Sequence, residues 1–281
     1  VQFAIDIPNF GVYSDPRLLA ELAHEAEEAG WDGFFIWDHI NYKIVGSPGP
    51  VVIGDPWVQL AAIAIRTKRI KIGPMVTPLP RRRPWKLARE SVTLDHLSEG
   101  RLILGIGLGS DRSKEYSTFG EVTDPKIHGE MLDEGLEVLT KLWSGEEFNY
   151  EGKHYHLSNV QFLPKPLQQL RIPIWVAGFW PHKKPFRRAS QWDGAFPLMR
   201  ERPLTPDDFR EIIGYMRAQQ AQDTPFDVIA SGLTSGTEGS QDAATIASFA
   251  EAGATWWLET FQPHHTLEQV RLRIQQGPSQ A

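Results

Sequence analysis

A closed (β/α)8 TIM barrel with an insertion before strand five is the fold class that this sequence predicts, and three observations carry it. Short apolar runs alternate with helix-like stretches about eight times along the chain, the pattern of a parallel sheet wrapped by helices. Several helical stretches open on one signal, Asp15-Pro16, Asp55-Pro56 and Asp124-Pro125. In it the acid accepts free first-turn amides and proline suits the first helical position. The length, 281 residues, fits one barrel of ~250 residues. A doubly wound dinucleotide fold is the competing architecture. Against it, Gly105-x-Gly107-x-Gly109 breaks the G-x-G-x-x-G spacing and lies in the fourth unit, not the first. The chain reads as a single domain over residues 1–281, interrupted at about 146–172.

Residues 1–7 are mostly apolar and β-branched, a first strand. The helix opened by Asp15-Pro16 carries Leu18, Leu19, Leu22, Ala23 and Ala26 on one face and stops at Gly30. Residues 34–37 are wholly apolar, as in a strand buried on both faces. The loop 41–54, rich in glycine and proline, is long enough for a lid or a cavity wall. The helix after Asp55-Pro56 sets Trp57, Leu60, Ala61, Ala64 and Ile65 on one side. Residues 70–76 form the third strand, interrupted at Pro74, which gives no amide to a ladder. The basic run Arg81-Arg82-Arg83 precedes a helix over 84–97, and a fourth strand, 101–109, runs into a glycine-rich turn. The helix from Asp124-Pro125 places Ile127, Met131, Leu132, Val138, Leu139 and Leu142 before Gly145. In the insertion, Phe148-Asn149-Tyr150 and Tyr155-His156-Leu157 flank Glu151-Gly152-Lys153-His154 as a small hairpin. The barrel pattern resumes with strand five at 173–178, a helix at 185–192 and strand six at 194–198. A capping-box helix then runs from Thr205-Pro206-Asp207-Asp208 to about 222. Strand seven (226–230), a helix (240–252), strand eight (255–259) and a helix capped by Thr266 and Gln269 complete the reading.

Composition narrows the function classes. Hydrophobic residues make up 41% and charged residues 23%, ordinary for a soluble globular protein. A net charge of -6 gives no sign of a nucleic-acid partner. The absence of cysteine removes disulfides, thiolate nucleophiles and cysteine metal sites, and agrees with a cytoplasmic setting. No apolar run approaches the ~20 residues of a membrane span. No signal peptide is read, and Val1 in first place points to a trimmed start. The 10 tryptophans suit either a lined cavity or a large core.

The apolar strand 34–37 ends abruptly in Asp38-His39. This sets two titratable side chains at the C-terminal end of a strand, where parallel α/β folds bind ligands. A histidine there holds or relays a proton, or is simply a satisfied, half-buried side chain. Asp38 orients the loop, binds a ligand or caps. Gly107, Gly109 and Ser110 permit close backbone approach or form an ordinary turn. His182, Lys183, Lys184, Arg187 and Arg188 suit an anion or a solvated face, and Arg81, Arg82 and Arg83 share that ambiguity. No metal site is expected, because His154-x-His156 and His264-His265 lack an acidic partner at ligand spacing. No G-x-S-x-G marks a serine hydrolase.

Several stretches together carry a family resemblance. They are Gly30-Trp31-Asp32-Gly33-Phe34 with Asp38-His39, Gly73-Pro74-Met75-Val76-Thr77-Pro78, and Leu94-Asp95-His96-Leu97-Ser98-Glu99-Gly100-Arg101 followed by Leu104-Gly105-Ile106-Gly107. Further on come Glu151-Gly152-Lys153-His154-Tyr155 and Ile172-Pro173-Ile174-Trp175-Val176-Ala177-Gly178. Over nearly the whole chain the set resembles the bacterial luciferase-like monooxygenase superfamily, whose members use FMN or coenzyme F420. The resemblance implies an oxidoreductase, often a homodimer, that binds its flavin-type cofactor at the barrel mouth. It would transfer a hydride to or from a small organic substrate, or oxygenate it. The implied catalytic residues are His39 and Asp38. The implied cofactor contacts are Met75, Val76 and Thr77, Gly107, Gly109 and Ser110, and Ala177, Gly178, Phe179 and Trp180, whose loop offers backbone amides to a phosphate. A non-proline cis peptide is expected between Met75 and Val76, behind the ring. In the deazaflavin-dependent sugar dehydrogenases a glutamate stands at the position of Ser110. Serine cannot replace a carboxylic acid as proton donor at neutral pH, which argues against the same chemistry here. Asp38-His39 and residues 73–77 are closer to the deazaflavin branch, so coenzyme F420 is the expected cofactor and FMN the alternative. An FMN monooxygenase fed by a separate reductase and a non-catalytic flavin binder remain as rival readings.

Overall fold

The computed structural model describes residues 1–43, 49–220, 225–236 and 241–279. In chain order its elements are β1 (Gln2–Ile7), α1 (Pro16–Glu28), β2 (Gly33–Ile36), α2 (Pro56–Arg66), β3 (Lys71–Pro74), β4 (Thr77–Pro78), α3 (Pro84–Leu97), β5 (Leu104–Gly107), α4 (Pro125–Ser144), β6 (Phe148–Glu151), β7 (His156–Val160), β8 (Ile174–Phe179), α5 (Lys183–Ala189), β9 (Gly194–Leu198), α6 (Pro206–Arg217), β10 (Asp227–Gly232), α7 (Asp242–Glu251), β11 (Trp256–Thr260) and α8 (Leu267–Gln275). The helix-opening acids act as expected: Asp15, Asp55 and Asp124 each accept first-turn amides ahead of a proline. Capping boxes at Thr205/Asp208 and Thr266/Gln269 open α6 and α8.

Nine strands form one sheet in the order β3-β2-β1-β11-β10-β9-β8-β5-β4, all pairs parallel. The third barrel strand is in two pieces. β3 ends at Pro74, the Met75–Val76 peptide is cis, and the chain resumes as β4. Both pieces reach the fourth strand. β4 pairs with β5, and an isolated bridge joins Ile72 to Leu102, so the sheet closes on itself as a (β/α)8 barrel. Glycine makes the closure possible: a Cβ on Gly73 would run into the Ile103 carbonyl, and one on Gly105 into the Pro74 carbonyl. The insertion is the expected antiparallel hairpin of β6 and β7. Glu134 of α4 fastens it by accepting the amides of Lys153, His154 and Tyr155.

Some boundaries differ from the sequence reading. The α5 helix begins at Lys183, two residues before the expected Pro185, and ends at Ala189 rather than 192. Proline is tolerated throughout a first turn, whose amides lack intrahelical partners, so it marks the turn and not its first residue. The α6 helix ends at Arg217, short of the expected 222. Within the expected 41–54 wall, residues 44–48 lie outside the described residues, as does the expected helix start at 240. Among the described residues no helix is long and apolar enough to cross a membrane.

Strand alternation separates two apolar compartments. Ala4, Phe35, Met75, Ile103, Trp175, Phe196, Ile229, Trp256 and Leu258 point inward and fill the barrel. Their neighbours Ile5, Ile7, Phe34, Ile36, Leu104, Ile106, Val176 and Trp257 point outward to the helices. The same alternation carries Asp6, Trp37 and Thr260 to the inner face, one layer above the packed interior. They form part of the floor of the barrel mouth.

Arg101 locks the base of the closure. Its guanidinium donates to the Ser98 carbonyl at 2.7 Å, the Ala64 carbonyl at 2.9 Å, the Ile70 carbonyl at 3.0 Å, the Thr67 carbonyl at 3.1 Å and the Thr67 hydroxyl at 2.8 Å. The ends of α2 and α3 and the start of β3 are thereby tied to β5. Arg101→Met should cost ~3–5 kcal/mol, because it strands buried acceptors, and Arg101→Lys should recover little, because a compact ammonium cannot reach the acceptors that a planar fork spans. Urea unfolding midpoints measure this. A lysine variant as stable as the parent would contradict the assignment.

Candidate active site

The barrel mouth holds a cavity of about 1920 Å³, larger than the ~300–1,000 Å³ of ordinary small-molecule pockets. Its centre is a network of buried charges. Asp38 follows β2, and its side chain is fully buried. Oδ1 accepts from Arg81 at 2.5 Å, and Oδ2 accepts from Arg82 at 2.7 Å and from the Thr77 hydroxyl at 2.7 Å. The other arm of Arg81 donates to Glu115 Oε1 at 2.7 Å. Glu115 Oε2 lies 3.0 Å from His39 Nδ1, and Oε1 also accepts the Ile40 amide at 2.8 Å. An ionised carboxylate only accepts, so His39 carries its proton on Nδ1. Nε2 has no protein partner among the described residues, and the ring lines the cavity.

Burial opposes ionisation of Glu115. The His39 hydrogen bond, the charges of His39 and Arg81 and the Ile40 amide outweigh it and hold the carboxyl below the usual carboxylate range. The loop that presents Glu115 is itself braced. Asp111 Oδ1 accepts the amides of Tyr116 and Ser117 at 3.0 and 2.9 Å, and the Tyr116 hydroxyl donates to the Leu108 carbonyl at 2.9 Å. The backbone of His39 is fixed from below by Asn9, whose side-chain amide donates to the His39 carbonyl at 2.8 Å and accepts the His39 amide at 3.1 Å. Phe10, Trp37 and Tyr42 surround the imidazole with ring centroids 5.9, 6.0 and 4.8 Å away.

The residues expected at the site fall into two groups. His39, Asp38, Met75, Val76, Gly107, Gly109, Ser110, Ala177, Gly178 and Phe179 all line the cavity. Thr77 and Trp180 do not. The Thr77 hydroxyl is turned back onto Asp38. The Trp180 amide donates to the Leu198 carbonyl at 2.8 Å, and its indole lies under the Lys183 ammonium at 3.7 Å. Both stand behind the wall and brace residues that face it. Asp38, with both oxygens engaged by arginines, positions the network and has no free oxygen to exchange a proton. The Ser110 hydroxyl accepts the Arg112 amide at 3.3 Å, capping a turn.

Sequence reasoning missed Glu115 and Asn9 and left Arg81 undecided between anion site and solvated face. Glu115 meets His39 across 76 residues, and nothing in the polar run around it has a period or motif to reveal this. Among the described residues one group, His24, Glu27 and Glu28, has ligand atoms close enough to share a metal ion. There Glu27 already accepts the amides of Lys68, Arg69 and Ile70.

The cavity chemistry fits a flat ring with an anionic tail. Met75, Val76, Gly107 and Ala177 give apolar lining, and the exposed cations Lys183, Lys184, Arg187 and Arg200 line the same cavity.

The sequence profile of the family described as luciferase-like monooxygenase matches residues 5–279. The F420-dependent glucose-6-phosphate dehydrogenase of Gordonia bronchialis is 34% identical over 170 residues, 59% of this chain and 48% of that protein. The chain thus spans about half the length of that curated relative. The coenzyme F420-dependent tetrahydromethanopterin reductase of Methanopyrus kandleri superposes with a TM-score of 0.75 at 18% identity, covering 99% of this chain and 98% of that one. The monooxygenase RslO1 of Streptomyces bottropensis does so with a TM-score of 0.79 at 19% identity, covering 98% and 96%. These last two are likenesses of fold.

Two outcomes are expected of Glu115. Nitrogen NMR should find His39 protonated on Nδ1, and Glu115→Ala should lose that preference. Because the folded carboxyl titrates low, its stabilising contribution is full at neutral pH and fades as pH falls through and below the ordinary carboxylate range. The gap in urea midpoint between parent and Glu115→Gln should therefore narrow between about pH 7 and about pH 3. A constant gap would contradict the paired, ionised state.

Proposed function

The chain belongs to the luciferase-like monooxygenase family, and on that premise we propose that it is an oxidoreductase. It binds a flavin-type cofactor, coenzyme F420 in preference to FMN, in the barrel mouth and exchanges a hydride with a small organic substrate. The observation that carries this reading is His39: an imidazole locked in one tautomer by Glu115, with Nε2 open to a cavity lined by both apolar residues and cations. When bound, the cofactor supplies a hydride acceptor or donor. The protein supplies the rest. Met75, Val76 and Gly107 form an apolar shelf, and Lys183, Lys184, Arg187 and Arg200 receive the phosphate and the acidic tail of a deazaflavin. His39 Nε2 holds or moves a proton where charge develops. Glu115 keeps that ring oriented, and Arg81 joins Glu115 to Asp38 in a buried setting.

The names of the curated relatives favour coenzyme F420. A second reading, an FMN monooxygenase fed by a separate reductase, draws support from the fold shared with RslO1. The Ser110 position, which offers no acid, favours a third: a binder without turnover.

Fluorescence titration of the purified protein with coenzyme F420 and with FMN, followed by turnover assays on alcohols, aldehydes and enones, decides among the three. Tighter binding of F420 with turnover supports the proposal, and tight binding without turnover supports the binder. His39→Ala should leave cofactor affinity intact and lower turnover by ~10² or more; an unchanged rate would remove His39 from the mechanism. Charge reversal at Lys183 and Lys184 should weaken cofactor binding most at low salt, and equal affinity for variant and parent there would show that these residues are merely solvated.

A further inference from the structure

Asp6 takes no part in the network around His39, yet it lies on the floor of the same cavity. Strand alternation sets it on the inner face of β1, above Ala4 and the apolar barrel interior. It is 2% exposed. Oδ2 accepts the Trp37 indole N–H at 3.0 Å, while Oδ1 is buried with no hydrogen-bond partner. Thr260 stands directly across from it in the β1–β11 register; its buried hydroxyl reaches no acceptor at good hydrogen-bond geometry, yet lies close enough to the Asp6 carboxyl to act on it. Both residues line the cavity. The other acids of the wall are each engaged by an arginine, lysine, histidine, amide or phenol. Among the described residues, Asp6 forms no ion pair.

A carboxylate placed over packed hydrocarbon, with one donor and no cation, is poorly solvated in its charged form. As the neutral acid, it has an O–H that needs an acceptor. Two buried polar atoms side by side on a cavity floor, neither held at good hydrogen-bond geometry, favour an oxygen on whatever binds there. The apolar shelf of Met75 and Val76 lies on the third barrel strand, and the polar floor of Asp6, Trp37 and Thr260 on the first, second and eighth. The two halves of the mouth are thus suited to a ring and to a reacting group.

We propose that Asp6 is a second acid–base group of the reaction, holding a proton for the oxygen of an alcohol or carbonyl substrate that also meets the Thr260 hydroxyl. The proposal rests on the oxidoreductase reading above. In the reducing direction the carbonyl carbon would gain a hydride, which a bound reduced cofactor would supply, and the π pair of the C=O bond would move to oxygen. The Asp6 O–H bond breaks as the O–H bond of the product alcohol forms. The substrate gains two electrons that the cofactor loses, and the carboxylate left on Asp6 takes a proton back from water at the open side of the cavity. In the oxidising direction the same carboxylate receives the alcohol proton.

Burial pushes the Asp6 carboxyl up to about 7, with hydrogen bonding from Trp37 and from the Thr260 hydroxyl acting in the opposite sense. The titratable and charged groups that line the cavity on the elements beside β1 include His39 beyond Trp37, His264 and His265 after β11, and Arg200 after β9; Ser231 of β10 is neutral.

The test compares the parent with Asp6→Asn, which keeps the size of the side chain and an acceptor for Trp37. Without any cofactor, carbon NMR of the Asp6 carboxyl should titrate near neutral pH. Because this acid titrates higher folded than unfolded, its contribution to stability is full below the unfolded value of ~4 and is lost as pH rises through the folded one. The parent should therefore lose stability relative to Asp6→Asn over that range. With cofactor, Asp6→Asn should bind as the parent does. It should turn over ~10²-fold slower and lose the alkaline limb of the pH profile for carbonyl reduction. An Asp6 ionised throughout about pH 5 to 9, or an Asp6→Asn enzyme with the parent's rate and pH profile, overturns the proposal. A parent that binds neither F420 nor FMN overturns the functional reading beneath it instead, and the proton-transfer role with it.

Discussion

Arg81 is the contact on which the rest of the site depends. Two carboxylates, those of Asp38 and Glu115, are buried at the barrel mouth with side chains 0% and 4% exposed. Each would cost several kcal/mol to leave ionised and unpaired in such a place. One guanidinium spans both, a geometry for which a planar fork is suited and a lysine is not. Arg82, the Thr77 hydroxyl and the Ile40 amide supply the remaining donors. Desolvated charges are retained here because they are fully satisfied, and what they gain is orientation. Glu115 can hold the His39 ring in one tautomer only while its own position is fixed.

The barrel makes this arrangement local and rigid. The charged members of the network come from loops beyond strand ends, where the sheet holds the backbone and the side chains are free to converge. Asn9 after β1 fixes His39 after β2, and Arg81 after β4 joins Asp38 after β2 to Glu115 after β5. Strand alternation then divides the floor. Met75, Val76 and Ala177 offer carbon surface, and Asp6, Trp37, Ser231 and Thr260 offer polar atoms. A cavity so divided holds a planar apolar group against one side and presents a polar group to the other.

Much of this was legible in the sequence, for identifiable reasons. Asp-Pro pairs and the capping boxes announce helix starts through interactions within a few residues, and the structure reproduces them. Residues 34–36 are apolar on both faces because the strand Gly33–Ile36 is covered on both; Trp37, read with them, lies just beyond its end and is half-buried. Pro74 marked the break in the third strand because it cannot donate to a ladder. What escaped was long-range. Glu115 and Arg81 are charged residues in polar surroundings, and their sequence context is that of a solvated loop. Their roles come from partners 76 and 43 residues away. Asp6 was read as a strand residue among apolar neighbours, and only the register with β11 shows that it faces Thr260. Thr77 and Trp180, which the family resemblance implies beside a ligand, meet Asp38 and Lys183 in the structure.

The most direct measurement of the central claim, that Arg81 and Glu115 act as one preorganised unit behind His39, is a double-mutant cycle on folding stability with Arg81→Met and Glu115→Gln. Each single change leaves a buried charge short of its partner and should cost ~3–5 kcal/mol. The double variant should cost clearly less than the sum, by ~1 kcal/mol or more. Costs that add to within ~0.5 kcal/mol would mean that the two residues are independent, and that His39 is not held by the network described.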